Sequence, residues 1–122
     1  MENKKNFYIN GKWVTPKSKQ EIKVINPATE EDCATISLAN KDDVNDAVRA
    51  AADSGPLQHV LQYSTLPVVS TDIIGNPHSS IFDAPFTRVV EGNFVKTLNW
   101  YDNEWGYSNR VADLLGVLHG LD

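Results

Sequence analysis

Residues 99–110 read Asn-Trp-Tyr-Asp-Asn-Glu-Trp-Gly-Tyr-Ser-Asn-Arg, and no other stretch limits the fold so strongly. Ahead of them Phe94-Val95-Lys96-Thr97-Leu98 alternates apolar and polar, the period of a half-buried strand. Behind them Val111, Leu114, Leu115 and Leu118 recur at i, i+3, i+4 and i+7, the apolar stripe of an amphipathic helix. A dense block of aromatics and amides therefore sits at a strand-to-helix junction, where loops on a rigid scaffold tend to carry function. On composition alone, Trp100, Tyr101, Trp105 and Tyr107 read as core aromatics with their polar ends satisfied.

The chain has 122 residues, the size of one ordinary domain. Hydrophobic residues make up 41% and charged residues 22%, as in soluble globular proteins. A net charge of −5 without a dense Lys/Arg stripe argues against a nucleic-acid surface. Lys4-Lys5 is followed by no apolar h-region, so no secretion signal is read. No apolar run approaches the ~20 residues that span a bilayer, so no membrane partner is expected. The single cysteine rules out an internal disulfide and fits a reducing cytoplasm.

The first fifty residues carry clear local signals. Phe7-Tyr8-Ile9-Asn10-Gly11-Lys12-Trp13-Val14 reads as two strands around an Asn-Gly turn, because a type I′ turn needs positive φ at both central residues. Glu21-Ile22-Lys23-Val24-Ile25 alternates as a strand and stops at Asn26-Pro27, and residues 33–38 alternate again. Asn40 is placed to cap a helix with Asp42 and Asp43 in its first turn. Val44, Ala47, Val48 and Ala51 form its apolar stripe, and Gly55-Pro56 stops it. Farther on, Val60-Leu61-Gln62-Tyr63, Val68-Val69-Ser70-Thr71 and Ser80-Ile81-Phe82 read as short strands. Ile73 to Pro77 reads as a turn, and Thr87 to Val90 leads through Glu91-Gly92-Asn93 into the last strand. The expected class is α+β: short strands and one helix, then a mostly antiparallel sheet with a C-terminal helix.

Two family resemblances follow from these words. Pro67-Val68-Val69-Ser70-Thr71-Asp72, Gly75-Asn76-Pro77-His78-Ser79-Ser80-Ile81-Phe82-Asp83-Ala84 and the block at 99–110 resemble the C-terminal part of phosphorylating glyceraldehyde-3-phosphate dehydrogenases, over about 53–118. In that family the Asn and Tyr of the Asp-Asn-Glu-Trp-Gly-Tyr run meet the nicotinamide of NAD. Carried over by position, the resemblance implies cofactor contacts at Asn103 and Tyr107. An amide side chain can both donate to and accept from a carboxamide. Tyr8 to Val14 and Val24-Ile25-Asn26-Pro27-Ala28-Thr29-Glu30-Glu31 resemble the N-terminus of the aldehyde dehydrogenase superfamily, over about 6–51. There the segment is a scaffold without catalytic residues. The two resemblances meet inside one helix, which divides the chain into segments 1–52 and 53–122. The chain thus looks like a hybrid of two aldehyde-oxidising, NAD-dependent enzymes.

Departures from the glyceraldehyde-3-phosphate dehydrogenase pattern fall between residues 59 and 88 and put the local sheet edge in question. Ser64-Thr65-Leu66 replaces an acidic pair, His59 replaces Gly, and Pro85-Phe86 and Arg88 are bulkier than usual. Pro85 also removes a backbone donor at the sheet edge. Both families use a cysteine nucleophile, which makes Cys33 tempting. A catalytic thiol needs cationic neighbours or a helix N-terminus, whereas Cys33 follows Glu30-Glu31-Asp32 in an ordinary strand. It reads as a small structural hydrophobe. His59, His78 and His119 lack metal-ligand spacing and read as turn or surface residues. No G-x-G-x-x-G run is present, so the dinucleotide half of a Rossmann enzyme is not expected.

Three functional readings stay open. An NAD-dependent aldehyde oxidoreductase is implied by lineage, with no catalytic residue assigned and no turnover expected from this chain alone. A non-catalytic module could self-associate, or join a dehydrogenase subunit, through open strand edges. The third is a recombined product without a selected role, since neither half exceeds the ~70–80 residues at which one core suffices.

Overall fold

A computed structural model describes residues 2–120. In chain order it runs β1 (Glu2–Lys4), β2 (Phe7–Ile9), β3 (Lys12–Val14), β4 (Glu21–Ile25), β5 (Asp32–Ser37) and α1 (Lys41–Asp53). Then follow β6 (Leu61–Ser64), β7 (Ser80–Asp83), β8 (Arg88–Val90), β9 (Phe94–Lys96), β10 (Asn99–Trp100) and α2 (Trp105–His119). The class is α+β, as the sequence suggests. The chain forms two compact units, residues 2–50 with Thr87–Lys96, and Ala51–Phe86 with residues 97–120.

In the first unit β2 and β3 pair antiparallel around Asn10 (φ 47°) and Gly11 (φ 76°), the two positive φ angles a type I′ turn requires. Tyr8 stands opposite Trp13, their ring centroids 5.1 Å apart. The second sheet has the order β1-β5-β4, with β4 antiparallel and β1 parallel to β5. The β8–β9 hairpin turns through Glu91 (φ 50°) and Gly92 (φ 79°). Phe94–Lys96 is exposed throughout, not half-buried as its alternation suggests. A two-stranded ribbon has no second layer to cover either face.

α1 begins with a reciprocal cap. Asn40 Oδ1 accepts the Asp43 N–H at 2.9 Å, and Asp43 Oδ2 accepts the Asn40 N–H at 3.1 Å, satisfying donors the first turn leaves open. The buried Asp43 carboxylate also accepts the N–H groups of Lys17 (2.7 Å) and Ser18 (3.1 Å). Burial works to raise this carboxyl, but those backbone donors and the Lys17 ammonium outweigh it, and its pKa lies below the ordinary Asp value.

The second unit is built on the sheet β10-β7-β6. β7 lies in the middle, parallel to β6 and antiparallel to β10. Ile81, Phe82 and Asp83 are all buried, as a central strand covered on both faces should be. Ile73 and Ala84 complete the buried apolar set of this unit with Ala52, and Tyr63 stacks on Phe82 with centroids 5.8 Å apart. Two expectations are corrected here. Residues 68–71 form no strand; Ser70–Ile73 is a turn of 3-10 helix. Asp72 Oδ2 accepts the Val69 N–H at 2.8 Å, and Val69 O accepts the Asp72 N–H at 2.9 Å, local bonds that outcompete sheet pairing. Pro85 lies within a second 3-10 turn, Ala84–Phe86, which ends β7.

α2 forms where its periodicity places it and ends at Gly120 (φ 65°), whose N–H bonds back to Gly116 and Val117 carbonyls. Its apolar stripe, however, is uncovered: Val111, Leu114, Leu115 and Leu118 are exposed. Periodicity reports that a helix has an apolar side, and it does not supply the surface that covers it.

Candidate functional site

The strand-to-helix junction is pinned at its strand end by Trp100. Its indole N–H donates to Asp83 Oδ2 at 2.8 Å, and its backbone registers against Ile81. The other three aromatics of the block, Tyr101, Trp105 and Tyr107, are exposed rather than core residues. Only Trp100, half-buried with its polar end satisfied, fits the reading made on composition. The reason is local: two residues of β10 cannot carry all four rings beneath the sheet.

Asp102 organises the turn that follows. Oδ1 accepts the N–H groups of Glu104 (3.1 Å) and Trp105 (2.9 Å), and its carbonyl accepts that of Gly106 (2.9 Å). Oδ2 accepts the Gly75 N–H at 2.8 Å. These donors, Trp105 and Gly75 foremost, hold the carboxyl below the ordinary Asp value. Reasoning from sequence passed over Asp102 as an organiser. The signal was present, since an Asp just ahead of a helix is a favoured cap. Its hold on Gly75, a distant turn, carries no such signal.

Gly106 is buried in the first turn of α2. A Cβ there would stand 2.6 Å from Tyr101 Cε2 and 3.0 Å from the His78 carbonyl oxygen. Only glycine lets the helix start approach so closely.

Between the Ser70–Ile74 stretch and residues 100–104 lies a cleft of about 390 Å³, bordered by Ile73, Ile74, Tyr101 and Asn103. Asn103 is exposed, and among the described residues no hydrogen bond engages its amide; its carbonyl accepts the Tyr101 hydroxyl at 3.4 Å. Tyr107 stands about one turn farther along α2, 63% exposed, and is not part of the cleft wall. No ring contact or hydrogen bond joins Asn103 to Tyr107 among the described residues.

The remaining candidates lie elsewhere. His78 is half-buried; its Nδ1 sits 2.8 Å from Asn76 Oδ1, which also accepts the His78 N–H at 3.0 Å. Burial first, then the charges of Arg110 and His59, lower its pKa. The carbonyl of His59 accepts from Arg110 Nη1 at 3.1 Å. Among the described residues no three His, Cys, Asp or Glu side chains are grouped to hold a metal. Cys33 is exposed, its thiol donating to the Val24 carbonyl at 3.3 Å. It is therefore not packed as a small hydrophobe, because β5 presents that position to solvent. No described helix is long and apolar enough to cross a membrane.

Comparison with known proteins places the chain in a family. Residues 26–103 match the family model for the glyceraldehyde 3-phosphate dehydrogenase C-terminal domain. The match begins at residue 26, well ahead of the 53–118 span that the sequence resemblance marks out. A glyceraldehyde-3-phosphate dehydrogenase of Kitasatospora aureofaciens is 60% identical over 78 residues, 64% of this chain and 23% of the relative. That of Mycolicibacterium smegmatis is 51% identical over 80 residues, 66% and 23%. Glyceraldehyde-3-phosphate dehydrogenase 1 of Caenorhabditis elegans is 54% identical over 80 residues, again 66% and 23%. The chain thus spans about a quarter of the length of the curated relatives it matches. It belongs to the glyceraldehyde 3-phosphate dehydrogenase C-terminal domain family.

Proposed function

We propose that the chain is a segment of an NAD-dependent, aldehyde-oxidising dehydrogenase that presents the nicotinamide-facing end of a cofactor site and does not turn over substrate alone. The observation that carries this is the Asn103 amide, exposed at the rim of the 390 Å³ cleft and engaged by no hydrogen bond among the described residues. Asp102 fixes the backbone just after it through the N–H groups of Glu104 and Trp105. Such an amide suits a carboxamide, donor to acceptor and acceptor to donor, and the exposed Tyr107 ring offers a flat apolar face to an aromatic ring. Nicotinamide, when bound, supplies the hydride acceptor. Asn103 would orient its carboxamide and Tyr107 would flank its ring. We assign no catalytic residue in this chain: Cys33 lies on an exposed strand with only the Val24 carbonyl as its bonded neighbour.

We read residues 1–52 as an aldehyde dehydrogenase-like scaffold and 53–122 as the glyceraldehyde-3-phosphate dehydrogenase-like segment, in a cytoplasmic setting. The test is urea unfolding followed by tryptophan fluorescence, with and without NAD. An upward shift of the transition with NAD supports the reading, because a ligand that binds only the folded state stabilises it. An NAD-insensitive transition overturns it. NADH absorbance in the presence of aldehyde checks turnover, and a sustained rise would contradict the claim of inactivity.

A second reading is a non-catalytic module that self-associates or joins a dehydrogenase subunit. It is favoured by the number of large apolar side chains left exposed, among them Trp13, Ile74, Phe94 and Leu118. Light scattering across a concentration series tests it; a monomer throughout counts against it.

A further inference from the structure

β2 and β3 form a separate two-stranded sheet with Asn10-Gly11 at its tip, and both tip residues are exposed. A Cβ built on Gly11 would meet nothing within 4 Å, so the space beside its main chain is open. A type I′ turn closes through the N–H of its fourth residue and leaves that of its third unused. Gly11 is that third residue, and among the described residues no hydrogen bond engages its N–H. We propose that Asn10-Gly11 is a self-modification site, where the Asn10 amide closes onto the Gly11 nitrogen and water opens the ring to an isoaspartyl link that breaks the hairpin.

The reaction needs only the chain and water. The Gly11 main-chain nitrogen loses its proton to solvent base and attacks Asn10 Cγ. The N–Cγ bond forms, the Cγ–Nδ2 bond breaks, and Nδ2 takes up a proton and leaves as ammonia. Water then opens the five-membered imide. Addition at Cγ breaks the new bond and gives aspartate. Addition at the Asn10 main-chain carbonyl breaks the original peptide bond and gives isoaspartate, whose chain runs through Cβ and Cγ. Nothing is oxidised or reduced, and either product adds one negative charge to the net −5.

The sequence and the fold both select this position. It is the one Asn-Gly pair in the chain, and glycine has no side chain to crowd the attacking nitrogen. Asn26 and Asn76 precede Pro27 and Pro77, whose nitrogens have no proton to lose. Asn45 and Asn109 lie within α1 and α2, where the helical ladder holds the following N–H. Ring closure requires the turn to open locally, and a two-stranded ribbon is marginal by itself, so opening costs little.

The two products differ in what they do to the hairpin. Its two-residue turn sets the register Phe7↔Val14, Tyr8↔Trp13 and Ile9↔Lys12. Isoaspartate adds a methylene to the main chain of that turn, so Tyr8 and Trp13, with ring centroids 5.1 Å apart, lose their pairing. Aspartate leaves the main chain intact and tolerates the positive φ of Asn10.

The whole chain is aged at mildly alkaline pH and mapped by peptide mass spectrometry with electron-transfer fragmentation, which distinguishes the two products. The mass gain of an amide turned to a carboxyl should appear at Asn10 about tenfold or more faster than at any other asparagine, with isoaspartate among the products. Nuclear Overhauser contacts between the Tyr8 and Trp13 rings should fade in proportion to isoaspartate and persist in Asn10→Asp, which carries the charge without the methylene. Conversion at Asn10 no faster than elsewhere, or to aspartate alone, overturns the site. Isoaspartate at Asn10 with the ring contacts undiminished overturns its effect on the hairpin.

Discussion

Asp102 and Gly75, 27 positions apart, are joined by a 2.8 Å hydrogen bond from the Gly75 N–H to Asp102 Oδ2, while Oδ1 holds the first turn of α2. One carboxylate thus fixes both a helix start and the turn beyond Ile73. Asp102→Ala releases the two together. Amide hydrogen exchange should show Gly75 and Trp105 losing protection in step, with Ile81 and Phe82 in β7 keeping theirs. Asp102→Asn should retain part of the protection, because an amide oxygen still accepts. Independent responses at Gly75 and Trp105 would show that the shared carboxylate does not couple them.

The pH dependence follows from the directions of three shifts. Asp43 and Asp102 both lie below the ordinary Asp value. Their contribution is therefore complete above the unfolded value of about 3.9 and is lost as pH falls through the folded values. His78 is also lowered, so the unfolded chain takes up its proton first, and stability falls as pH drops below the unfolded value of about 6.5. Stability should show a shallow decline from about pH 6.5 and a steeper one below about 4. His78→Gln should flatten the first step and Asp43→Asn the second. A profile in Asp43→Asn matching the parent below pH 4 would remove Asp43 from the account.

Where local chemistry decides, the sequence was legible. Asn10-Gly11 dictates its hairpin because the turn itself needs positive φ at two adjacent residues. Asn40 and Asp43 mark the start of α1 by a side-chain code read within four residues. The parallel pairing of β6 with β7 was not legible, since nothing in Leu61–Ser64 records which strand lies beside it. Nor was the fate of the stripe on α2. An apolar side requires a cover, and the cover lies outside the helix that shows the pattern. At the site, the amide of Asn103 could be singled out from its motif, whereas the bond that positions its neighbour, Asp102 to Gly75, joins separate parts of the chain.

The Trp100–Asp83 bond joins an indole N–H to a buried side chain in the second unit. Asp83 is 1% exposed and its Oδ1 has no partner among the described residues, so Oδ2 relies on the indole N–H. Trp100→Phe keeps a ring and removes the donor, leaving the carboxylate buried and unpaired. The expected loss is about 1–3 kcal/mol in urea unfolding. Pairing it with Asp83→Leu should recover part of that loss, since removing both polar partners is milder than removing one. A Trp100→Phe chain as stable as the parent would mean that the bond contributes nothing net.

Gly106 tests how tightly the helix start is packed. Alanine would bring a methyl within 2.6 Å of Tyr101 Cε2 and 3.0 Å of the His78 carbonyl oxygen. In an open helix the change would stabilise by about 1 kcal/mol. Here overpacking should reverse the sign, to a loss of about 1–3 kcal/mol. Tyr101→Ala in the same chain should restore part of it, because the ring is the nearer obstacle. The backbone carbonyl prevents full recovery. A stabilised Gly106→Ala chain would show that Tyr101 swings aside at little cost.

The cofactor reading makes its own demand on Asn103 and Tyr107. Asn103 is exposed and its side chain is bound to nothing among the described residues, so Asn103→Ala should change stability without ligand by no more than about 0.5 kcal/mol. With NAD at ten times its dissociation constant the parent gains about 1.4 kcal/mol, and the variant should gain little of it. Tyr107→Ala should weaken the NAD effect too, by losing the face beside the ring. An NAD effect that survives Asn103→Ala undiminished would place the cofactor elsewhere.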